Sequence, residues 1–225
     1  MYIPKEFKQV APGVIQRINP TPNTIFEASE KFTNDAIQIL KNDLVHYDNL
    51  YDYSKHRLPG LNYKYGSCIA IGGGSPKFEF KILDTMFIIS YDANADFYSK
   101  LDNDFRKIYS IPGMFDIYYI ICDLEHPRKF STPGCITFIH FLEHMFTWDI
   151  VCKWISSQEM NSDIIIYGPN FEVAKDENWY HFLPPIHNVF FTIEAITEFA
   201  TGLGYKVSSM TFSDDMLVWL QFNNL

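Results

Sequence analysis

An apolar run that stops at three consecutive glycines constrains the fold of this chain more than any other feature. Residues 67–71 have the composition of a strand and lead directly into the glycines at 72–74. A second apolar run, residues 86–91, stops at Asp92, about twenty positions after the first glycine. A parallel α/β sheet that holds a nucleoside carries this pattern, because glycine lets the backbone approach the ligand and the acid accepts hydrogen bonds from the ribose. We therefore expect a nucleoside-containing ligand on this turn.

The rest of the chain alternates between strand-like and helix-like segments. Strands are predicted at 67–71, 86–91, 115–122, 135–141 and 163–167, and helices at 75–83, 95–109 and 146–158. Continuous apolar runs are typical of strands covered on both faces, and their alternation with helices indicates a parallel sheet. Towards the C-terminus we expect a helix over 192–203, capped by Thr192 and ended by Gly204. Strands at 206–212 and 216–222, joined by a short turn, predict a closing antiparallel hairpin.

The N-terminal part has a different character. Residues 1–25 contain four prolines and no periodicity, so we expect an extended, partly mobile arm. Helical spacing of apolar residues follows over about 26–53 and ends near Pro59 and Gly60. The sequence therefore predicts residues 1–60 as an N-terminal arm with a helical lid, and residues 61–225 as the ligand-binding domain.

Charge and cysteine content narrow the possible partners and the compartment. The net charge is −9 and no lysine–arginine cluster stands out, so long nucleic acid is an unlikely partner. The four cysteines form no C-x-x-C pair, which favours reduced thiols in a cytoplasmic protein. No segment resembles a signal peptide and no apolar run is long enough to cross a membrane. The oligomeric state cannot be derived from the sequence.

Six segments together resemble the class I S-adenosylmethionine-dependent methyltransferases, in the small-molecule-type branch with an L-E-H motif. They are 68–74 (CIAIGGG), 89–92 (ISYD), 120–124 (IICDL), 136–144 (ITFIHFLEH), 163–170 (DIIIYGPN) and 187–192 (HNVFFT). They resemble the family's glycine turn, ribose acid, adenine-facing acid, L-E-H strand, fifth strand and the segment before the last helix. Each is weakly specific alone, and their order along the chain carries the resemblance.

The resemblance implies a Rossmann-like methyltransferase fold: a mostly parallel seven-stranded sheet with an antiparallel C-terminal hairpin. It also implies S-adenosyl-L-methionine as the cofactor and a small-molecule methyl acceptor of unknown identity. The residues that it implies for cofactor binding are Gly72, Gly73, Gly74, Asp92, Ala93, Asp123, Leu124 and Phe141. Aromatic residues in the lid, near Trp148 and in the loop with Trp179 and Tyr180 would line the acceptor pocket.

Two departures from the family pattern keep other functions open. Ala70 stands where the family's first strand usually carries an acid, and Pro76 replaces the last glycine of its turn. A non-catalytic Rossmann-like domain, either a nucleoside-binding or a structural interaction module, is the alternative. A dinucleotide-dependent oxidoreductase is disfavoured, because Lys77 stands where its fingerprint needs a third glycine.

Three residues are the candidates for catalysis. Glu143 and His144 directly follow the fourth predicted strand, beside the expected methyl donor, and His187 is the second histidine candidate. A base is needed when the acceptor loses a proton, and His144 is the first choice for it. Each residue also has a structural interpretation, as a helix-start feature or a loop contact. His140 is expected to be a satisfied histidine within a strand. No metal is expected, because the histidine spacings match no ligand motif.

Overall fold

The computed structural model describes residues 1–20, 65–72, 79, 87–92, 99, 116–121, 126–130, 134–158, 162–182 and 187–222. The strands in these ranges are β1 (Phe7–Ala11), β2 (Val14–Arg17), β3 (Ser67–Ile71), β4 (Phe87–Asp92), β5 (Asp116–Ile121), β6 (Cys135–Ile139), β7 (Asp163–Pro169), β8 (Val189–Phe191), β9 (Tyr205–Phe212) and β10 (Asp215–Phe222). The α-helices are α1 (Trp148–Ser156) and α2 (Ile193–Gly202). Short 3-10 turns occupy Leu142–His144, Phe171–Val173 and Tyr180–Phe182.

Among the described residues, one seven-stranded sheet has the order β5-β4-β3-β6-β7-β10-β9. Strands β3 to β7 pair in parallel, whereas β10 is antiparallel to both β7 and β9. The predicted mostly parallel α/β sheet with a closing antiparallel hairpin is therefore confirmed. Because β3 is the middle one of the five parallel strands, Gly72, which follows it, lies at the middle of their carboxyl edge.

Both faces of the sheet are covered, which explains why the strands are continuously apolar. On one face, Ile69 and Ile71 of β3 belong to a buried cluster with Trp154 of α1 and Ile196 of α2. On the opposite face, Cys68 and Ala70 of the same strand pack with Ile88, Cys135, Ile165, Leu217 and Trp219. Alternate side chains of one strand thus enter two separate apolar layers.

The helix boundaries follow the capping signals in the sequence. The Thr192 side chain accepts a hydrogen bond from the Ala195 N–H at the start of α2, as predicted. Gly204, with φ +92°, takes the left-handed conformation just after α2 ends. Helix α1 begins at Trp148 and is capped by Thr147, two residues later than the predicted start.

The N-terminal residues differ from the expected irregular arm. Strands β1 and β2 form an antiparallel hairpin, and β2 pairs with β8 to complete a three-stranded sheet. Phe7 and Ile15 are buried against Phe171 and Phe190. This sheet is not evident from the sequence, because its strands are short and depend on a partner distant in the chain.

Several predictions lie outside the described residues. They are the helix over 26–53, nearly all of the helices at 75–83 and 95–109, and the domain division at residue 60, which stays a prediction. Cys68 and Cys135 are buried free thiols, and Cys152 is a half-buried one. In the ranges given above, no helix combines the length and the apolar character needed to cross a membrane.

One carboxyl group lies inside the sheet–helix packing. Glu79 is 1% exposed, and its Oε1 accepts a 2.6 Å hydrogen bond from the Thr137 hydroxyl of β6. Burial raises the pKa of Glu79 to about 7, although the Thr137 hydrogen bond opposes the shift. The folded protein therefore retains this proton at pH values where the unfolded chain has lost it.

We predict that Glu79 makes stability fall as pH rises from about 4.5 to 7 and level off above that range. The unfolded carboxyl ionises first, so the folded state gains nothing from ionisation until its own pKa is passed. Glu79→Gln keeps a hydrogen-bond acceptor for Thr137 but cannot ionise. The difference in unfolding free energy between Glu79→Gln and the wild type should therefore shift in favour of the variant by up to about 3 kcal/mol between pH 4.5 and pH 8. Urea denaturation of both proteins across this range measures the difference, and parallel pH profiles would contradict the prediction.

Candidate functional site

The glycine turn after β3 is built for close backbone contact. Gly72 has φ +63°, and its N–H donates a 2.8 Å hydrogen bond to the Tyr91 carbonyl of β4. A Cβ at this position would overlap the ring of Phe141. Only glycine satisfies both conditions without strain. The register of β3 with β4 and β6 places Gly72 and Asp92 at the same edge of the sheet, and Phe141 contacts Gly72 there.

Asp92 is the last residue of β4 and is 5% exposed. A carboxylate at a buried strand end, beside a turn free of side chains, suits hydrogen bonds from a diol. The other predicted cofactor contacts, Gly73, Gly74, Ala93, Asp123 and Leu124, lie outside the described residues. Their roles stay predictions.

A tight turn follows β6 and carries the predicted L-E-H residues. The strand ends at Ile139, earlier than predicted, so His140 lies outside the strand. His140 has φ +47°, and its N–H donates a 2.7 Å hydrogen bond to the Tyr167 carbonyl of β7. The chain then enters the 3-10 turn Leu142–His144, in which Glu143 is buried and His144 half-buried.

Asn188 joins this turn to the segment before β8. Its backbone N–H donates to the Glu143 carbonyl at 2.7 Å, and its side-chain amide donates to the His144 carbonyl at 3.2 Å. Asn188 is fully buried. These two hydrogen bonds bring His187, the residue before it, to the side of the turn.

The three residues proposed for catalysis form one cluster. Glu143, His144 and His187 each offer one ligand atom, and these three atoms lie within 4.8 Å of one another. The rings of His144 and His187 meet edge to face, with centroids 4.8 Å apart. We name this group the Glu143 cluster. It lies at the carboxyl edge, two residues beyond the Phe141 ring that contacts Gly72.

The carboxylate of the Glu143 cluster is held in its ionised form. Burial alone would raise the pKa of Glu143, but the hydrogen bond with His140 and the charges of His140, His144 and His187 lower it to about 2. At neutral pH this group is a negative charge that accepts hydrogen bonds or binds a cation. It is not a proton donor.

His187 is held as a neutral ring in one tautomer. Its Nδ1 lies 2.8 Å from the His181 carbonyl, and because a carbonyl only accepts, Nδ1 carries the proton. Burial lowers the pKa of His187 to about 4, while the charge of Glu143 opposes the shift. At neutral pH, Nε2 therefore has a free lone pair, which suits a base or a metal ligand.

One carboxylate and two imidazoles are a donor set that binds divalent metals of the iron–zinc series. From the sequence no metal is expected, because the spacings of these histidines and Glu143 match no ligand motif. The donor set arises only when Asn188 joins the two segments. The structure thus brings together three side chains that could hold a cation, with ligand atoms within 4.8 Å of one another.

Asp215, which the sequence did not single out, lies behind the cluster with His140 and His181. His140 Nδ1 lies 3.1 Å from Glu143 Oε1, and the hydrogen bond and charge of Glu143 outweigh burial and raise the pKa of His140. Asp215, at the start of β10, lies 3.3 Å from His181 Nε2. Only the folded sheet brings these residues together. Trp179, predicted in the acceptor pocket, is buried in the aromatic core beneath β1 and β8.

The fold is similar to that of solved methyltransferases. An O-methyltransferase family protein from Burkholderia thailandensis has a TM-score of 0.60 and 10% identity over 88% of this chain and 61% of that chain. DhpI in complex with SAH has a TM-score of 0.60 and 16% identity over 91% of this chain and 100% of its own. The methyltransferase domain of bacterial CtHen1-C has a TM-score of 0.53 and 14% identity over 85% and 96%.

These similarities confirm the expected methyltransferase fold. The chain spans only about three fifths of the length of the Burkholderia protein, which is 61% covered. No protein-family model matches the sequence, and no curated protein matches it. At sequence identities of 10–16%, the similarity shows the fold and does not assign an activity to this chain.

We predict that Gly72→Ala is strongly destabilising. The new Cβ meets the Phe141 ring, and alanine also disfavours the positive φ, so the cost should be at least about 2 kcal/mol. Gly202→Ala is the matched control, since a Cβ there has no neighbour within 4 Å. It should be neutral or slightly stabilising. Urea denaturation of the two variants tests this, and equal stabilities would show that the turn tolerates a side chain.

Proposed function

We propose that the chain is an S-adenosylmethionine-dependent methyltransferase that acts on a small-molecule acceptor. The observation that carries this proposal is the Glu143 cluster, which follows the Phe141 ring packed on Gly72 at the carboxyl edge of a methyltransferase-type sheet. Ligands of open α/β sheets bind at this edge. The net charge of −9 disfavours a long nucleic acid as the acceptor.

The residues of the edge fit an adenosylmethionine molecule. Asp92 would accept hydrogen bonds from the ribose, and the turn at Gly72 would approach the methionine end. The Phe141 ring packs against this turn and fixes its position. Asp123 and Leu124 would contact the adenine, as the family resemblance implies. When bound, the cofactor supplies an electrophilic methyl group, so the protein contributes mainly by alignment and proximity.

The Glu143 cluster would prepare the acceptor. In the first of two roles, His144 removes the acceptor proton, with His187 as the second candidate. In the other role, Glu143, His144 and His187 hold a divalent cation, which when bound lowers the pKa of an acceptor hydroxyl. We favour the cation role, because the carboxylate is ionised, His187 is neutral and the donor atoms converge.

A non-catalytic, nucleoside-binding or structural module is the second candidate. Ala70 is fully buried in an apolar layer, so no acid orders the glycine turn from that position. The Glu143 cluster argues against this candidate, because a structural module has no need of an ionised buried carboxylate beside two histidines. Buried charge is costly unless it is paired or used.

We predict that the wild-type protein binds S-adenosylmethionine or S-adenosylhomocysteine and does not bind NAD. Asp92→Ala should weaken binding by about 1.5–3 kcal/mol, the usual contribution of hydrogen bonds to a charged group. Isothermal calorimetry measures both affinities. Glu177→Ala removes an exposed acid and is the matched control.

Two outcomes would contradict that prediction. Binding of NAD without binding of S-adenosylhomocysteine would overturn the methyltransferase proposal. An unchanged dissociation constant for Asp92→Ala, together with a lower melting temperature, would assign Asp92 to the scaffold.

We predict further that His144→Ala lowers methyl transfer by about 100-fold or more, with a much smaller effect on cofactor affinity. The assay follows S-adenosylhomocysteine release over a panel of hydroxyl and amine acceptors, with and without Mn²⁺. In the cation role, a chelator abolishes transfer by the wild type. In the base role, transfer survives the chelator. Full turnover by His144→Ala would remove this residue from both roles and direct attention to His187.

A further inference from the structure

A second group of polar side chains lies directly behind the Glu143 cluster. Asp215 Oδ1 lies 3.3 Å from His181 Nε2 and 4.0 Å from His140 Nε2. Asp215 Oδ2 accepts a 3.2 Å hydrogen bond from the Tyr167 hydroxyl. Oδ1 is thus the oxygen that faces the two histidines. Neither histidine belongs to the Glu143 cluster, but each is in contact with a member of it.

The two histidines reach different members of the cluster. His140 Nδ1 lies 3.1 Å from Glu143 Oε1, on one side. The backbone carbonyl of His181 accepts the 2.8 Å hydrogen bond from His187 Nδ1, on the other side. A single carboxylate on the reversed strand β10 is therefore connected to two donors of the cluster that lie on separate segments.

The burial of these atoms is unusual. The His181 side chain is 4% exposed and that of Asp215 is 16% exposed, yet within the described part of the chain His181 Nε2 and Asp215 Oδ1 have no partner with hydrogen-bond geometry. Buried polar atoms are normally satisfied, and exceptions concentrate at functional sites. His140 adds local strain, since φ +47° is a left-handed conformation that non-glycine residues seldom adopt.

We propose that Asp215 is a positioning residue that orients the Glu143 cluster, acting on Glu143 through His140 and on His187 through His181. The proposal rests on the proposed role of the cluster in preparing the acceptor. Groups that orient the ligands of a metal ion contribute to metal affinity. The loss of one such group typically weakens metal binding 10- to 100-fold. A purely structural role for Asp215 would affect stability and leave the cluster unchanged.

The neighbouring acid supplies a matched control. Asp214 carries the same charge one residue earlier, but its Oδ1 accepts a 3.0 Å hydrogen bond from the Trp179 indole, and among the described residues it forms no hydrogen bond or ion pair with the cluster. Asp214→Asn therefore removes one negative charge from the same turn. Asp215→Asn removes the charge that faces His140 and His181, and it retains an oxygen for the Tyr167 hydroxyl.

The experiment measures Mn²⁺ binding to the full chain by calorimetry, and Co²⁺ coordination by visible absorption at saturation. We expect Asp215→Asn to weaken Mn²⁺ binding by 10- to 100-fold and to alter the Co²⁺ spectrum, whereas Asp214→Asn matches the wild type. Equal Mn²⁺ affinity and an identical Co²⁺ spectrum for Asp215→Asn would overturn the proposal. If Asp215→Asn does not fold by circular dichroism, His140→Asn decides in its place, because asparagine accepts the left-handed backbone.

A second readout separates this proposal from the cation role. Long-range proton–nitrogen spectra of the histidine rings report the tautomer of His187 without any metal. If the wild type binds no Mn²⁺, the cation role fails, and the ring spectra then decide the positioning role. A second His187 tautomer in Asp215→Asn, absent from Asp214→Asn, supports it. Unchanged signals from His181 and His187 in Asp215→Asn overturn it.

Discussion

The two hydrogen bonds from Asn188 to the turn after β6 are the contacts on which the candidate site depends. One acceptor is the Glu143 carbonyl at 2.7 Å and the other is the His144 carbonyl at 3.2 Å. They hold the turn beside the segment before β8, together with the buried apolar cluster that Leu142 and Val189 share. Because Asn188 is fully buried, both groups would be left unsatisfied if the segments separated. A fixed geometry for Glu143, His144 and His187 follows from this backbone connection.

The electrostatics of the site follow from the same connection. A buried carboxylate is costly by itself, and the pKa of Glu143 nevertheless lies at about 2 because three histidines surround it. The histidines do not contribute equally. Burial keeps His187 neutral, with its pKa near 4, whereas the contact with Glu143 raises the pKa of His140. The Glu143 carboxylate therefore faces the neutral ring of His187 on one side. On the other side it faces the ring of His140, whose protonated form it stabilises.

The sequence predicted the sheet well, because strand signals in a doubly covered sheet are local. Continuous apolar runs located β3 to β7 within a few residues, and the turn between β9 and β10 indicated the hairpin. The three-stranded sheet of β1, β2 and β8 was not predicted, because its strands are short and depend on pairing with one another. The prediction also placed the end of β6 two residues beyond Ile139, because the apolar Phe141 continues the strand-like pattern.

The sequence named the candidate residues, and the structure shows that they lie together. Glu143, His144 and His187 were singled out by their likeness to family motifs, and no spacing rule could show that their side chains converge. Asp215 gave no signal, because it occupies a hairpin position where acids are common for reasons of turn chemistry. Its place opposite His140 depends on β10 being inserted between β7 and β9. The reversed strand, which the sequence indicated only as a terminal hairpin, thus carries a carboxylate to the back of the site.

The conformation of His140 shows how the sheet and the site constrain each other. Its N–H donates to the Tyr167 carbonyl of β7 just beyond the end of β6, and its backbone has φ +47°. A glycine would adopt that conformation at lower cost, but it would have no ring to place between Glu143 and Asp215. A left-handed histidine costs about 1–3 kcal/mol relative to relaxed backbone. The sheet tolerates this strain because Tyr167, Glu143 and Asp215 all hold the residue, so the position where β6 ends is determined by the polar group that follows it.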